Sequence, residues 1–275
     1  LKPDAQLQLQ SFFKRVARAP ASLLMLDYDG TLAPFSTRRD QAFPYPGVQQ
    51  LLQHIILTGH TRVVIVSGRD VRDTADLLNL DPSPEIWGLH GLQNRKPDGT
   101  TRMCLLDQPT LDALADADSW LEYQDVRRTA EFKTGSIAVH WRGLDEHGIE
   151  ELRGRVLLGW RPIAERTGLE LLEFDGGIEI CSPEADKGEA VRFLLQTSPG
   201  APSAYLGDDA TDERAFLAIH GRGLSVLVRP KWRNTNAQLW LKPPDELLFF
   251  LTEWLQSATR RDSTDGLSAR AAVNP

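Results

Sequence analysis

Two cysteines, Cys104 and Cys181, are all that the 275 residues offer. That excludes a disulfide framework, and their spacing is no metal motif, so a reducing cytoplasm is the expected setting. Long apolar runs are missing too. No stretch approaches the ~20 apolar residues of a membrane span, and the N-terminus carries no signal-peptide core. Positive charge is in deficit: 31 Lys and Arg against 38 Asp and Glu leave a formal net charge of -7. This argues against nucleic acid or an anionic membrane as the main partner. Any anion must therefore meet a local group of cations. There are no internal repeats, and the one compositionally odd segment is the polar, small-residue tail at 260–275, which reads as disordered.

What is present is alternation. "LQLQSFFKRVAR" has a helical apolar period, and "SLLMLDYD" is a buried strand. "PGVQQLLQHIILTG" is a helix opened by Pro46 and closed by Gly59, followed by strand "RVVIVSGR", helix "DVRDTADLLNL" and strand "EIWGLHG". The last third repeats the pattern: helix "KGEAVRFLLQTS", strand "SAYLGDD", helix "TDERAFLAIHG", strand "LSVLVRP" and a closing helix "PPDELLFFLTEWLQSA". Apolar strands alternating with helices build βαβ units, so the expected fold is α/β, a Rossmann-like parallel-sheet core covered on both faces.

The middle has another texture. A helix near Pro109–Gln124 precedes "EFKTGSIAVHWR", read as one half-exposed antiparallel strand. A helix near Asp145–Arg166 then leads to "LELLEFDG" and "GIEICSP", two strands joined at Asp175-Gly176-Gly177. This is an inserted α+β cap, a lid with Trp120, Trp141 and Trp160 in its interior and hinges near Gly91 and Ser182. The expected division is 1–92 and 184–259 for the core, 93–183 for the cap and 260–275 for the tail.

Open parallel sheets bind ligands at the carboxyl ends of their strands. Four groups fall at such ends or at the adjoining helix starts: Asp27 and Asp29; Ser67, Gly68 and Arg69; Lys187 and Gly188; and "GDDATDE", Gly207 to Glu213. Each has a bland reading. "DYDG" resembles a turn or a calcium-loop fragment, although "DYDGTLAPFSTR" lacks the later ligands of an EF-hand. A serine before glycine is an ordinary turn, a lysine is usually solvated, and acids gather at helix starts. Their shared order at strand ends is what turns four weak signals into one site. It supplies carboxylates for a metal, a hydroxyl and an ammonium for phosphate, and a carboxylate to act as nucleophile.

In this order the residues resemble the four motifs of the haloacid dehalogenase-like phosphatases with a type-two cap. More narrowly, "LDYDGTLAPF", "SGR", "HGLQ", "EFKTGSIAVHWR", "IEICSPEADKGEAV" and "YLGDDATDE" resemble trehalose-6-phosphate phosphatases. The resemblance implies that Asp27 is the nucleophile and Asp29 the acid and base, with Ser67 and Lys187 on the phosphate. It also implies Mg²⁺ held by Asp27, the Asp29 carbonyl and Asp208, with Asp209 and Asp212 behind them. Arg69, His90, Gln93, Glu131, Lys133, His140, Arg142 and Glu179 would meet the sugar or the cap interface. Gln93 departs from the pattern, since such phosphatases usually carry glutamate there; the change would re-rank substrates. The implied reaction is dephosphorylation of trehalose 6-phosphate. Two alternatives are the same chemistry on another glycosyl phosphate (glucosylglycerol phosphate, a glucosylglycerate-type phosphate or sucrose 6-phosphate) and a silent sugar-phosphate sensor. A glycosyltransferase that makes the substrate is the implied functional partner.

Overall fold

A computed structural model describes residues 3–36, 38–141, 143–174 and 176–271. Helix α1 (Pro3–Arg18) leads to strand β1 (Ser22–Leu26), then α2 (Val48–Leu57), β2 (Thr61–Val66), α3 (Val71–Leu78), β3 (Glu85–Gly88), β4 (Gln93–Arg95) and β5 (Thr101–Met103). The middle holds α4 (Gln108–Tyr123), β6 (Ala130–Lys133), β7 (Ser136–His140), α5 (Glu146–Thr167), β8 (Glu170–Phe174) and β9 (Gly177–Cys181). The chain closes with α6 (Lys187–Gln196), β10 (Ser203–Gly207), α7 (Glu213–Ile219), β11 (Leu224–Val228), β12 (Leu239–Leu241) and α8 (Asp245–Ala271).

The large sheet has the order β12-β11-β10-β1-β2-β3-β4-β5, parallel from β12 to β3 and antiparallel beyond. Successive strand residues point to opposite faces, and the core divides accordingly. Leu24, Leu26, Val63 and Ile65 pack with residues of α1, α2 and α8, whereas Leu23, Met25, Val64 and Val66 pack with residues of α6 and α7. Each such side chain, fully buried, is worth roughly 1.5–3 kcal/mol. Burial on both faces explains why these strands read as continuous apolar runs rather than alternating ones. This is the α/β parallel-sheet core that the sequence predicts.

The small sheet, β6-β7-β9-β8, is antiparallel. Its alternation sorts two functions onto two faces. Ile137, Val139, Ile178 and Ile180 pack against α4 and α5 in a core that contains Trp160, with Trp120 and Trp141 packed on it. The opposite face carries a cross-strand row in which Glu131 opposes Ala138 and Ala138 opposes Glu179.

Several sequence expectations need correction. "EFKTGSIAVHWR" is a hairpin rather than one strand: β6 and β7 turn at Gly135, whose φ is +85°. The cap was expected from Gln93, yet β4 and β5 extend the large sheet from β3. Their short polar strands have no apolar periodicity to reveal them. The sequence reading also missed β12, only three residues long. At the tail expected to be disordered from Arg260, α8 continues to Ala271, and residues 272–275 lie outside the described ones. Among the described residues, no helix is long and apolar enough to cross a membrane.

Candidate active site

Asp27 follows β1 directly and is 3% exposed. The chain then turns on Gly30, where φ is +83° and a Cβ would stand 2.1 Å from the Asp208 carboxylate. Glycine is required twice there, for the left-handed backbone and for the close approach. The β1 and β10 strands are neighbours in register, so Asp27 and Asp208 emerge side by side from their ends.

Lys187, the first residue of α6, brings the cation. Its Nζ donates to Asp27 Oδ1 at 2.7 Å and to Asp212 Oδ1 at 2.8 Å, and its side chain is 4% exposed. Asp212 is saturated: it also accepts from Tyr205 Oη at 2.6 Å and from the backbone N–H groups of Asp208 and Asp209 at 2.9 and 3.0 Å. Asp27 Oδ2, in contrast, is buried with no hydrogen-bond partner among the described residues. Burial pushes the Asp27 carboxyl up to about 7 against the pull of Lys187, and it pushes Asp208 well above the usual carboxylate range, with the Asp27 charge adding to the rise. Two adjacent carboxyls raised together, with a bare buried oxygen, mark a place short of positive charge. Asp27, Asp208 and Asp212 can bring one oxygen each within 4.8 Å of one another. Because Asp212 is committed to Lys187, Tyr205 and two N–H groups, Asp27 and Asp208 are the carboxylates free to hold a divalent cation.

Asp29 faces Arg69 in a two-point pair, Nε to Oδ2 and Nη2 to Oδ1, both 2.6 Å. The guanidinium also lies over the buried Tyr28 ring at 5.5 Å. Ser67 is 1% exposed, and its Oγ accepts the Arg69 N–H at 3.1 Å; Gly68 and Arg69 line the pocket, and Ser67 does not.

The roof comes from the small sheet. Glu131, Lys133, His140 and Glu179 line the same pocket as Asp27, Asp29, Lys187, Asp208 and Asp209. Glu179 accepts from Lys133 Nζ at 3.1 Å and Ser136 Oγ at 2.5 Å, and Glu131 Oε2 lies 3.0 Å from His140 Nε2. His90 joins them from the large sheet, its Nε2 3.3 Å from Glu179 Oε2. Leu89 and His90 both have positive φ, 51° and 56°. For such residues this costs about 1–3 kcal/mol each, strain that clusters at functional sites. It sets the His90 ring against Gly68, where a Cβ would meet it at 2.6 Å. Burial holds His90 below its usual range despite the Glu179 charge.

One sugar-contact expectation is corrected. Gln93 is 7% exposed and absent from the pocket lining; its Oε1 accepts the N–H of Val71, the first residue of α3. It satisfies one of the open donors at a helix start instead of a sugar hydroxyl. Arg142, also expected at the sugar, lies outside the described residues. Sequence reasoning overlooked Phe35, Phe174 and Thr211, which line the pocket, and Tyr205, whose hydroxyl holds Asp212. Aromatic residues inside apolar segments give no signal of which partner they will meet.

A family profile described as trehalose-phosphatase matches residues 25–243. A trehalose-phosphate phosphatase of Mycobacterium tuberculosis is 31% identical over 239 residues, covering 82% of this chain and 58% of that protein. A protein of the same organism called an uncharacterized glycosyl hydrolase is 29% identical over 280 residues, 94% of this chain and 20% of its own length. The chain thus spans less than two thirds of these curated relatives. Among solved structures, the C-terminal domain of trehalose-6-phosphate phosphatase from C. albicans superposes with a TM-score of 0.79 at 19% identity, covering 90% of this chain and 96% of that one. A haloacid dehalogenase-like hydrolase from B. subtilis does so with a TM-score of 0.60 at 15% identity, covering 84% and 99%. At such identities the likeness shows the fold.

Proposed function

The chain belongs to the trehalose-phosphatase family, and from that premise we propose that it is a Mg²⁺-dependent phosphatase that hydrolyses trehalose 6-phosphate to trehalose. The observation that carries the reading is the bare, buried Oδ2 of Asp27, beside an oxygen already held by Lys187. Such an oxygen is costly to leave without a partner, and a nucleophile facing an electrophile or a cation is what repays it.

In the proposed reaction an Asp27 oxygen forms a bond to phosphorus as the bond from phosphorus to the sugar oxygen breaks, giving an aspartyl-phosphate. Asp29 supplies the proton to the departing sugar oxygen. It then takes one from the water that attacks phosphorus and releases Asp27. Its pair with Arg69 must open for the carboxyl to carry that proton. Lys187 binds a phosphate oxygen; Ser67, which does not line the pocket, would have to turn its hydroxyl toward it to donate its proton to another. Mg²⁺, held by the Asp27 and Asp208 carboxylates and the Asp29 carbonyl, would neutralise charge on the phosphate and favour ionised Asp27. Glu131, Lys133, His140 and Glu179 offer acceptors and donors to sugar hydroxyls, with Arg69 and His90 at the boundary between floor and roof.

A glycosyltransferase that makes the sugar phosphate is the functional partner of this reading, and the cytoplasm suits its two free thiols. The test is phosphate release across a panel of sugar phosphates, with Mg²⁺ and with chelator. Trehalose 6-phosphate should lead the panel and chelation should abolish release. A different leader overturns the substrate, and full activity in excess chelator overturns the mechanism.

A further inference from the structure

The Asp208 carboxylate makes no hydrogen bond or ion pair with any described residue. Its aim is therefore set by its backbone, which is gripped from two sides. Asp212 accepts the N–H groups of Asp208 and Asp209. From the other side comes the loop between β11 and β12, "RPKWRNTNAQ", 229–238. Arg233 Nε donates to the Asp208 carbonyl at 3.2 Å and its Nη2 to the Asp209 carbonyl at 2.6 Å. Arg229 Nη1 adds a donor to the Asp208 carbonyl at 3.3 Å.

Arg233 is itself braced. Its Nη1 lies 2.6 Å from Glu213 Oε1 and donates to the Asn234 carbonyl at 2.8 Å. Glu213 in turn accepts from Thr235 Oγ1, Asn236 N–H and Asn236 Nδ2 at 2.8, 2.8 and 2.9 Å. The planar fork of arginine can reach two successive carbonyls and a carboxylate at once, which the single ammonium of lysine cannot.

We infer that Arg233 is a positioning residue for the cation site: by holding the carbonyls of Asp208 and Asp209 it fixes the direction of the one unpaired carboxylate that would join Asp27 on the metal. This rests on the metal reading above. Groups that orient ligands in this way typically change metal affinity about 10–100-fold when lost.

The test measures metal binding directly, with Mn²⁺ titrated into the whole protein and bound ion followed by electron paramagnetic resonance. Wild type, Asp208→Asn, Arg233→Met, Arg233→Lys and the surface control Arg153→Met are compared, alongside the melting temperature of each metal-free protein. Arg233→Met should weaken Mn²⁺ binding about 10–100-fold, with Arg233→Lys between it and wild type and Arg153→Met unchanged. Turnover at saturating metal should fall far less than affinity. Undiminished Mn²⁺ affinity in Arg233→Met, with Asp208→Asn defective, overturns the inference and leaves the metal reading standing. A wild type that binds no Mn²⁺, or an Asp208→Asn variant that binds it normally, overturns both. Weakened binding that merely follows the loss of melting temperature, with no rescue by lysine, assigns Arg233 to folding and overturns the inference too.

Discussion

On the pocket floor, Lys187 and its partners Asp27 and Asp212 are at most 5% exposed, whereas on the roof Glu131 and His140 are 23% and 20% exposed. The two layers answer different demands. An exposed pair is worth ~0–1 kcal/mol, so the partly exposed Glu131–His140 contact can exchange its partner for a sugar hydroxyl at smaller expense than a buried one. A buried pair that loses one member leaves an uncompensated charge, at about 3–5 kcal/mol. The Lys187 cluster, which must not drift, is thus built from buried charge, while the roof pair and Asp29, 31% exposed, which must exchange partners, stand nearer water. Glu179 stands between the two: it belongs to the roof but is 2% exposed, tied to Lys133, Ser136 and His90.

The largest effect should come from the floor. Asp27→Asn removes the nucleophile while keeping its shape, and turnover is expected to fall by more than about 100-fold, beyond the loss of a merely positioned acid or base. Stopped or steady-state phosphate release measures it; a smaller loss would mean that another group attacks phosphorus.

Asp212→Asn should act on stability as well as rate. It takes one of two carboxylates from Lys187 and disturbs the acceptor for Tyr205 and two loop N–H groups, so unfolding in urea should reveal a loss of about 3–5 kcal/mol. A loss under 1 kcal/mol would put the floor on the same footing as the roof and erase the contrast.

For Glu179 the effect should be intermediate and sensitive to substrate. Glu179→Gln is expected to raise KM for the sugar phosphate about ten- to a hundredfold, the worth of one mismatched buried polar group. The rate with p-nitrophenyl phosphate, which has no sugar to meet, should be unchanged. The pH profile of stability adds a second readout. Burial alone would raise the Glu179 carboxyl, but Lys133 and His90 hold it well below the usual carboxylate range. A depressed pKa in the folded state means stability that is present above the unfolded value, about 4.3, and is lost as pH falls toward the folded one. Glu179→Gln should flatten that acid limb; an unaltered limb would show that Glu179 is not held by those charges.

Glu131→Gln should shift KM only about two- to fivefold, as suits a partly exposed pair. A hundredfold change would make Glu131 a main sugar contact and place it with Glu179. The smallest effect belongs to Gln93→Glu. Its Oε1 already caps α3, and a carboxylate at a helix start is favoured by about 0.3–1 kcal/mol. The ranking of sugar phosphates should therefore stay as it is, and a reordered ranking would bring Gln93 back to the substrate side.

Much of this molecule is written locally. The apolar runs of β1, β2, β10 and β11, separated by helices of 3.6-residue period, point to a parallel α/β sheet because helices alternating with such strands build βαβ units that bury both faces. The order Asp27, Ser67, Lys187, Asp208 along those elements determines which chemistry can gather at the carboxyl ends of one sheet's strands. Tertiary structure alone decided which neighbour each polar group meets. A strand's two-residue period tells to which face a side chain points, but not what lies across the gap. So Gln93 was expected at the sugar and faces α3, because β4 joins the large sheet. Arg233, in a loop with no motif at all, reaches the Asp208 carbonyl because β11 lies beside β10, an adjacency made by the sheet and invisible along the chain.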